Sequence, residues 1–308
     1  MIARRNLVLS LACLPLAAVF GCSKPDSSTR PGSGSGDPTA TGAVTLNGAG
    51  ATFPYPLYSK WMSEYNKANP TIRINYQSIG SGGGIRQISA KTVDFGATDA
   101  PMSTDEEQKA PAKLHHIPTT LGAVVLTYNL PELSAPLKLS ADAVAGVYLG
   151  SIKKWNDPKL VAENPEAKLP DRPIAVVYRS DGSGTTAVFT DYLAKVSIEY
   201  KDKVGAGKSV KWPVGLGAKG NEGVTGQVKT TPFTIGYVEL AYARQNKLPI
   251  AQVKNKAGKF VEPTAETITA AATGVEVGDS LTASLTAPAG AHAYPISSFT
   301  YLLVSEDA

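Results

Sequence analysis

Residues 173–196 read PIAVVYRSDGSGTTAVFTDYLAKV. The apolar run at the start of this stretch predicts a β-strand, and the apolar residues near its end predict one face of a helix. An arginine, an aspartate and a turn of glycine, serine and threonine lie between them. This turn can be a plain helix cap, or it can bind an anion, because a helix start carries unpaired N–H groups and the positive end of the helix dipole.

Two further stretches share this pattern. NGAGATFPYP (47–56) and SIGSGGGIR (78–86) also leave an apolar run, pass through glycines and hydroxyl groups, and enter a predicted helix. A single turn of this kind is more often a cap, but three of them, one preceded by an arginine, favour anion binding. None contains the Gly-Lys-Ser/Thr of a P-loop, and no G-x-G-x-x-G dinucleotide pattern with a later acid is present, so the sequence argues against nucleotide binding.

The rest of the chain alternates short apolar runs with amphipathic stretches. PLYSKWMSEYNKA (56–68) places Leu57, Trp61 and Tyr65 on one face of a predicted helix. TIRINYQSI, VDFGATD, LGAVVLTYN and TIGYVEL are typical of strands, and the last runs into AYARQNK as a helix. Strands that alternate with helices predict an α/β fold with mostly parallel sheets.

The N-terminus has the order of a bacterial export signal. A charged start and a short apolar run lead to Val19-Phe20-Gly21-Cys22, which resembles a lipobox. We therefore predict a lipoprotein signal peptide at residues 1–21 and an acylated Cys22, with an ordinary cleaved signal as the alternative. Residues 22–43, rich in Ser, Gly, Pro and Thr, are expected to form a flexible linker. The only other cysteine, Cys13, lies in the signal, so the mature chain has no partner for a disulfide.

The composition excludes several classes of protein. Hydrophobic residues make up 43% of the chain and charged residues 18%, as in a soluble globular protein. Without Arg4 and Arg5 of the signal, 28 basic residues face 26 acidic ones, which is too balanced to favour nucleic acid as a partner. No second long apolar run follows the signal, so we expect no membrane span in the body of the chain.

The chemistry-bearing residues do not form a catalytic pattern. Ser81 and Ser183 both lack the first glycine of G-x-S-x-G. Adjacent His115 and His116 would point apart, which makes them a poor metal pair, and surface or core roles are favoured for both of them and for His292. The acidic run 105–107 is typical of an exposed helix start. We expect no enzyme activity, no cofactor and no metal.

Several stretches together resemble a known family. GAGATFPYPLYSKW, GSGGGIRQISAKTVDFGATDAPMS, GVYLGSIKKWND, AVVYRSDGSGTTAVFTDYLAKV, VKWPVGLGAKGNEGV and TIGYVELAYARQN closely resemble the periplasmic phosphate-binding proteins of bacterial high-affinity phosphate ABC transporters. The likeness runs from about residue 47 to about residue 304. It implies a two-lobed periplasmic binding protein of the second type, in which each lobe is a mixed sheet flanked by helices and the ligand lies in the cleft between them.

The resemblance also implies lobe boundaries and ligand positions. Lobe one would comprise residues 44–120 and the return segment 294–308, and lobe two residues 121–293. Asp181 would hold the guanidinium of Arg179 by a bidentate pair without touching the ligand. Asp99 would accept a hydrogen bond from the phosphate. The full set of implied phosphate-binding residues is Thr52, Phe53, Ser81, Asp99, Arg179, Ser183, Gly184 and Thr185.

The resemblance further implies the partners. The protein would bind inorganic phosphate outside the cytoplasm, deliver it to the permease and ATPase subunits of a phosphate ABC transporter, and act as a monomer anchored to the membrane by its lipid. Two departures stand out: Gly82 replaces a second serine of some members, and the sequence ends at SEDA where members continue, so that lobe one would lack part of its packing, whether the sequence is a fragment, a truncated product or a short variant. Two alternatives stay open, namely a carrier of another tetrahedral oxyanion such as sulfate, and an extracytoplasmic phosphohydrolase or sensor with the same anion cradle.

Overall fold

The structure is a computed structural model that describes residues 44–133 and 135–307. The predicted signal peptide, the lipidated Cys22 and the linker lie outside the described residues. The strands are Val44–Gly50 (β1), Ile72–Ser78 (β2), Phe95–Thr98 (β3), Leu114–Tyr128 (β4), Lys138–Leu139 (β5), Ala175–Arg179 (β6), Leu216–Ala218 (β7), Thr234–Glu239 (β8), Gln252–Lys254 (β9), Phe260–Val261 (β10) and Ser297–Ser305 (β11).

Helices flank these strands, and most of them follow a strand directly. The helices are Tyr55–Ala68 (α1), Ser81–Ser89 (α2), Thr104–Lys109 (α3), Ala141–Leu149 (α4), Pro158–Glu163 (α5), Gly184–Val196 (α6), Ile198–Lys203 (α7), Gly220–Thr230 (α8), Leu240–Gln245 (α9) and Ala265–Ala272 (α10). Within the described part of the chain, none of them has the length and apolar character that a membrane span requires. The predicted α/β class is confirmed.

One long sheet organises the chain in the strand order β2-β1-β3-β11-β4-β8-β6-β7. The outer pairs β1–β2, β1–β3, β6–β7 and β6–β8 are parallel, as strand–helix alternation predicts. The central pairs β3–β11, β11–β4 and β4–β8 are antiparallel, so the expectation of mostly parallel sheets is wrong for the middle of the sheet. The chain leaves lobe one along β4 and returns to it along β11, so these two strands run in opposite directions and pair antiparallel.

Strand β4 belongs to both halves of the sheet. Its residues 114–123 pair with β11, whereas its residues 124–128 pair with β8. The strand begins seven residues before the stretch that the sequence pattern indicated. This extension includes Pro118, a residue type that is unusual inside a strand. Proline has no N–H to donate, and the β11 register shifts between Thr300 and Tyr301 opposite that position. The proposed lobe boundaries at residues 120/121 and 293/294 lie near this change of partners.

The larger core consists of Phe53, a predicted site residue whose side chain is buried here, together with residues between 123 and 296. It centres on an aromatic cluster in which Phe189 stacks on Tyr237 with ring centroids 4.4 Å apart and meets Tyr148 edge-on at 4.7 Å. Such ring pairs add about 0.5–1.5 kcal/mol to the free energy of unfolding beyond the buried area. This packing holds α4, α6 and β8 together, and it fixes the start of α6 where the turn from β6 enters the helix.

The predicted helix at residues 56–68 is present as α1, but its apolar face is not in the core. Trp61 and Tyr65 are 46% and 44% exposed, and Leu57 is also exposed. Tyr58 is buried instead and packs with Met62 against the sheet. Spacing by four residues therefore identified the helix, but the side that faces the sheet is one residue further along the chain.

Candidate anion-binding site

Three loops of lobe one lead into the cleft. Thr52 lies in the turn between β1 and α1, Ser81 is the first residue of α2, and Asp99 follows β3 directly. The chain reaches Ser81 through Gly80, whose backbone has φ +88° and whose position leaves no room for a Cβ beside Asp181 and Gly182. Glycine is needed there because an L side chain would be both strained and in collision. All three parallel strands of lobe one thus deliver a polar side chain to the same edge of the sheet.

Lobe two contributes the turn between β6 and α6. Arg179 is the last residue of β6, and Ser183 caps α6 by accepting a hydrogen bond from the Thr186 N–H at 3.0 Å. The capping interpretation of this turn is therefore correct for Ser183. It does not exclude the anion interpretation, because Ser183 Oγ uses a lone pair in this bond and keeps its proton to donate. Gly184 and Thr185 form that first turn and are buried.

The two lobes meet at these turns. The Gly184 N–H donates to Ser81 Oγ at 3.0 Å, and the Gly82 N–H donates to the Gly182 carbonyl at 2.9 Å. A Cβ on Gly184 would collide with Ser81 Oγ and with the Asp99 carboxylate. Donors from both lobes and one carboxylate therefore converge on a single buried point, and an anion bound there would contact both lobes.

Asp99 is the only acid among these converging groups. Its side chain is 1% exposed; Oδ1 accepts a hydrogen bond from Thr300 Oγ1 at 2.9 Å, and Oδ2 lies 3.4 Å from Ser81 Oγ. Burial raises the pKa of Asp99 to about 7, and the Thr300 hydrogen bond and the charge of Arg179 limit that rise. A carboxyl group whose pKa lies near 7 can accept a proton from a ligand or donate one to it.

Arg179 supplies the charge of the site. It is 3% exposed, and its Nε and Nη2 donate to the two oxygens of Asp181 at 2.8 Å and 2.5 Å, while Nη1 donates to Thr185 Oγ1 at 3.3 Å. The fork-like pairing with Asp181 that the sequence analysis expects is present in the geometry. Burial raises the pKa of Asp181, but the hydrogen bonds and charge of Arg179 outweigh it, so the net shift is downward.

Sequence reasoning missed several residues that complete the site. Asn221, at the start of α8, donates to Thr52 and Thr185, and Thr300 and Ser298 of β11 hold the side chain and the carbonyl of Asp99. Asn221 follows a glycine at a fourth strand–helix junction, so the same turn pattern was a signal for it. Thr300 gave no signal, because 201 positions separate it from Asp99.

A salt bridge closes one side of the cleft. Lys208 Nζ donates to Glu106 Oε2 at 2.8 Å and to the Pro101 carbonyl at 2.9 Å. Glu106 also forms a capping box with Ser103 at the start of α3, which confirms the predicted helix start at residues 105–107. The other predicted roles away from the cleft agree with the structure: His116 is buried and accepts the Met102 N–H at 3.0 Å, whereas His115 and His292 are exposed.

Comparison with known proteins places the fold in a class. A model of the PBP superfamily domain matches residues 35–308. A solved phosphate ABC transporter substrate-binding protein from Clostridium perfringens, described as putative and with bound phosphate, has the same fold with a TM-score of 0.63 at 18% identity, over 85% of this chain and 87% of that one. The fold is that of a two-lobed periplasmic binding protein of the second type.

Relatives define the family more narrowly. The phosphate-binding protein PstS of Pasteurella multocida (strain Pm70) is 51% identical over 271 residues, which cover 87% of this chain and 78% of that relative. The phosphate-binding protein PstS of Haemophilus influenzae is 48% identical over 267 residues, which cover 86% of this chain and 79% of that relative. The chain belongs to the PstS family of phosphate-binding proteins.

Proposed function

We propose that this chain binds one inorganic phosphate ion between its lobes, outside the cytoplasm, and delivers it to an ABC permease for import. The observation that carries the proposal is the convergence of buried donors from both lobes on one point that also contains the Asp99 carboxylate. PstS relatives at 48–51% identity support phosphate as the ligand. The proposed ligand groups are those of the sequence analysis, with Asp181 acting only through Arg179.

Asp99 favours phosphate over sulfate. Near neutral pH phosphate carries at least one proton, whereas sulfate has only acceptor oxygens. An ionised Asp99 accepts the phosphate O–H in a charge-assisted hydrogen bond but faces a sulfate oxygen with like charge and no proton between them. A site made of donors alone would satisfy both anions, so the carboxylate is the group that separates them.

Lobe closure is the proposed functional event. A ligand that contacts Ser81 and Asp99 on lobe one and Arg179 and Gly184 on lobe two binds the closed form better than an open one, and therefore shifts the population toward the closed form. The Lys208–Glu106 salt bridge joins the same two lobes beside the cleft. The proposal includes lobe boundaries at residues 44–120, 121–293 and 294–308.

Titration of the purified chain tests the ligand. We expect calorimetry to show one phosphate per chain and much weaker binding of sulfate, and small-angle scattering of the same samples to show a smaller molecule at saturating phosphate. Equal or tighter sulfate binding would establish the alternative of another oxyanion carrier. An unchanged scattering profile at saturating phosphate would contradict the two-lobe closure.

We further propose that the protein is a monomer, held at the membrane by acylated Cys22 and the linker of residues 22–43. The sequence Val19-Phe20-Gly21-Cys22 supports the anchor, and two or three acyl chains would hold it stably. Intact mass of the protein extracted from membranes should show a chain that starts at Cys22 and carries lipid. An unmodified chain that starts elsewhere would contradict the anchor.

The proposal assigns no catalytic activity to the chain. Hydrolysis of a phosphate ester would need an activated nucleophile. Ser81 lies beside Asp99 at 3.4 Å, but Ser81 Oγ also accepts the N–H groups of Asp99 and Gly184, which occupies both lone pairs that a nucleophile would need. The names of the relatives describe phosphate binding. Release of phosphate from a phosphomonoester by the purified chain would overturn this assignment.

A further inference from the structure

Asn221 is a fully buried polar residue at the centre of the cleft, 0% exposed, in the first turn of α8. Its Oδ1 accepts the Glu239 N–H at 2.9 Å. Because a backbone N–H can only donate, this contact fixes the orientation of the amide. The Nδ2 group must therefore face the cleft, where it lies 2.7 Å from Thr52 Oγ1 and 3.2 Å from Thr185 Oγ1.

These contacts decide what the two threonine hydroxyls can do. A hydroxyl group has one proton to donate and two lone pairs to accept with. Thr52 Oγ1 accepts both the side chain of Asn221 and its backbone N–H, which lies at 3.2 Å. Thr185 Oγ1 accepts Asn221 Nδ2 and Arg179 Nη1. Both hydroxyls thus have two donors aimed at them, which leaves only the proton of each for a further partner.

We propose that Asn221 is a positioning residue that makes the hydroxyls of Thr52 and Thr185 obligatory donors toward the anion. The inference rests on the proposed phosphate function, since it states which hydroxyl groups of that site donate hydrogen bonds to the ligand. One amide acts on both lobes, because Thr52 belongs to proposed lobe one and Thr185 to lobe two. Unprotonated oxygens of the ligand face the two hydroxyls, and the protonated oxygen is directed to Asp99.

A thermodynamic cycle tests the proposal. Asn221→Ala should weaken phosphate binding at least about tenfold, measured by calorimetry, because the two hydroxyls are then free to turn away. In a Thr52→Val/Thr185→Val background the same change should cost less than about threefold, since no hydroxyl remains to be oriented. A merely structural role of Asn221 would produce the same loss in both backgrounds and would overturn the proposal.

Asn164 offers a matched control. It is a buried asparagine whose amide bonds the Lys138 backbone and the Leu160 carbonyl, all in residues 138–164 and away from the cleft. Asn164→Ala should lower the melting temperature but leave phosphate affinity unchanged. If Asn221→Ala does not fold, the uncharged Asn221→Leu replaces it in the cycle, because leucine has a similar size and no amide to donate to the two hydroxyls.

The outcomes separate this inference from the proposed function. Wild-type protein that does not bind phosphate overturns the function. Wild-type protein that binds phosphate, with Asn221→Ala binding equally well, overturns only the role of Asn221. A loss in the wild-type background that disappears in the double-valine background supports the inference.

Discussion

Asp99→Asn is expected to remove most of the preference for phosphate over sulfate. The wild-type site leaves the buried Asp99 carboxylate without a proton to accept when sulfate binds, which costs about 1–3 kcal/mol plus charge repulsion. About two pH units above the Asp99 pKa of about 7, where the carboxylate is ionised, the affinity ratio should therefore exceed about tenfold in the wild type. It should fall by at least about tenfold in the variant, whose amide donates to sulfate as readily as it accepts from phosphate. Calorimetric titration with both anions gives the ratio.

The same residue predicts a pH dependence with a definite sign. Burial raises the pKa of Asp99 to about 7, so the carboxylate is charged above that pH and protonated below it. A protonated Asp99 can donate to sulfate, and sulfate affinity should therefore rise as the pH falls through about 7 in the wild type. The rise should be absent in Asp99→Asn, which has no proton to gain there.

Asp105→Asn is the matched control, because it makes the same change from aspartate to asparagine at an exposed position in the first turn of α3. It should change neither the affinity ratio nor its pH dependence. Should Asp99→Asn keep the wild-type ratio of phosphate to sulfate affinity, the residue has only a structural role, such as ordering the turn before Pro101.

Arg179→Lys is expected to weaken phosphate binding by at least about 100-fold, or about 2.7 kcal/mol. Arg179 uses three of its five donors on Asp181 and Thr185, so its planar group fills a defined place between them. Lysine keeps the charge but carries it on one small ammonium group. That group cannot pair with both Asp181 oxygens and still reach Thr185 and the ligand. Calorimetry with phosphate measures the loss.

Arg172→Lys serves as the control for this change. Arg172 lies on the surface of the same lobe over the ring of Phe233, at 5.2 Å from its centroid, and outside the cleft. Phosphate affinity should be unchanged in that variant. Comparable affinity losses in both variants would mean that lobe two as a whole is perturbed, and an unchanged affinity in Arg179→Lys would remove Arg179 from the site.

Local pattern was sufficient for several strand–turn–helix elements and for the donor-rich turns of the candidate site. The apolar runs and turn glycines located β6, α6 and α2 within a few residues, because strand and helix periods and capping preferences act over short distances. The turns with Thr52, Ser81 and Arg179 were recognised for the same reason. Resemblance to the family assigned the individual ligand residues within these turns and added Asp99, which local pattern could not distinguish from an ordinary turn residue.

The amino-acid sequence alone therefore determined the α/β class, the strand–turn–helix units and the donor-rich turns, since each depends on neighbouring residues. Only the tertiary structure decided which face of α1 meets the sheet, why β4 and β11 run antiparallel, and which groups surround Asp99. Thr300 reaches Asp99 across 201 positions, and Asn221 reaches Thr52 across 169. Contacts at that separation depend on how β11 and α8 pack against the cleft, and no local period or spacing encodes that packing.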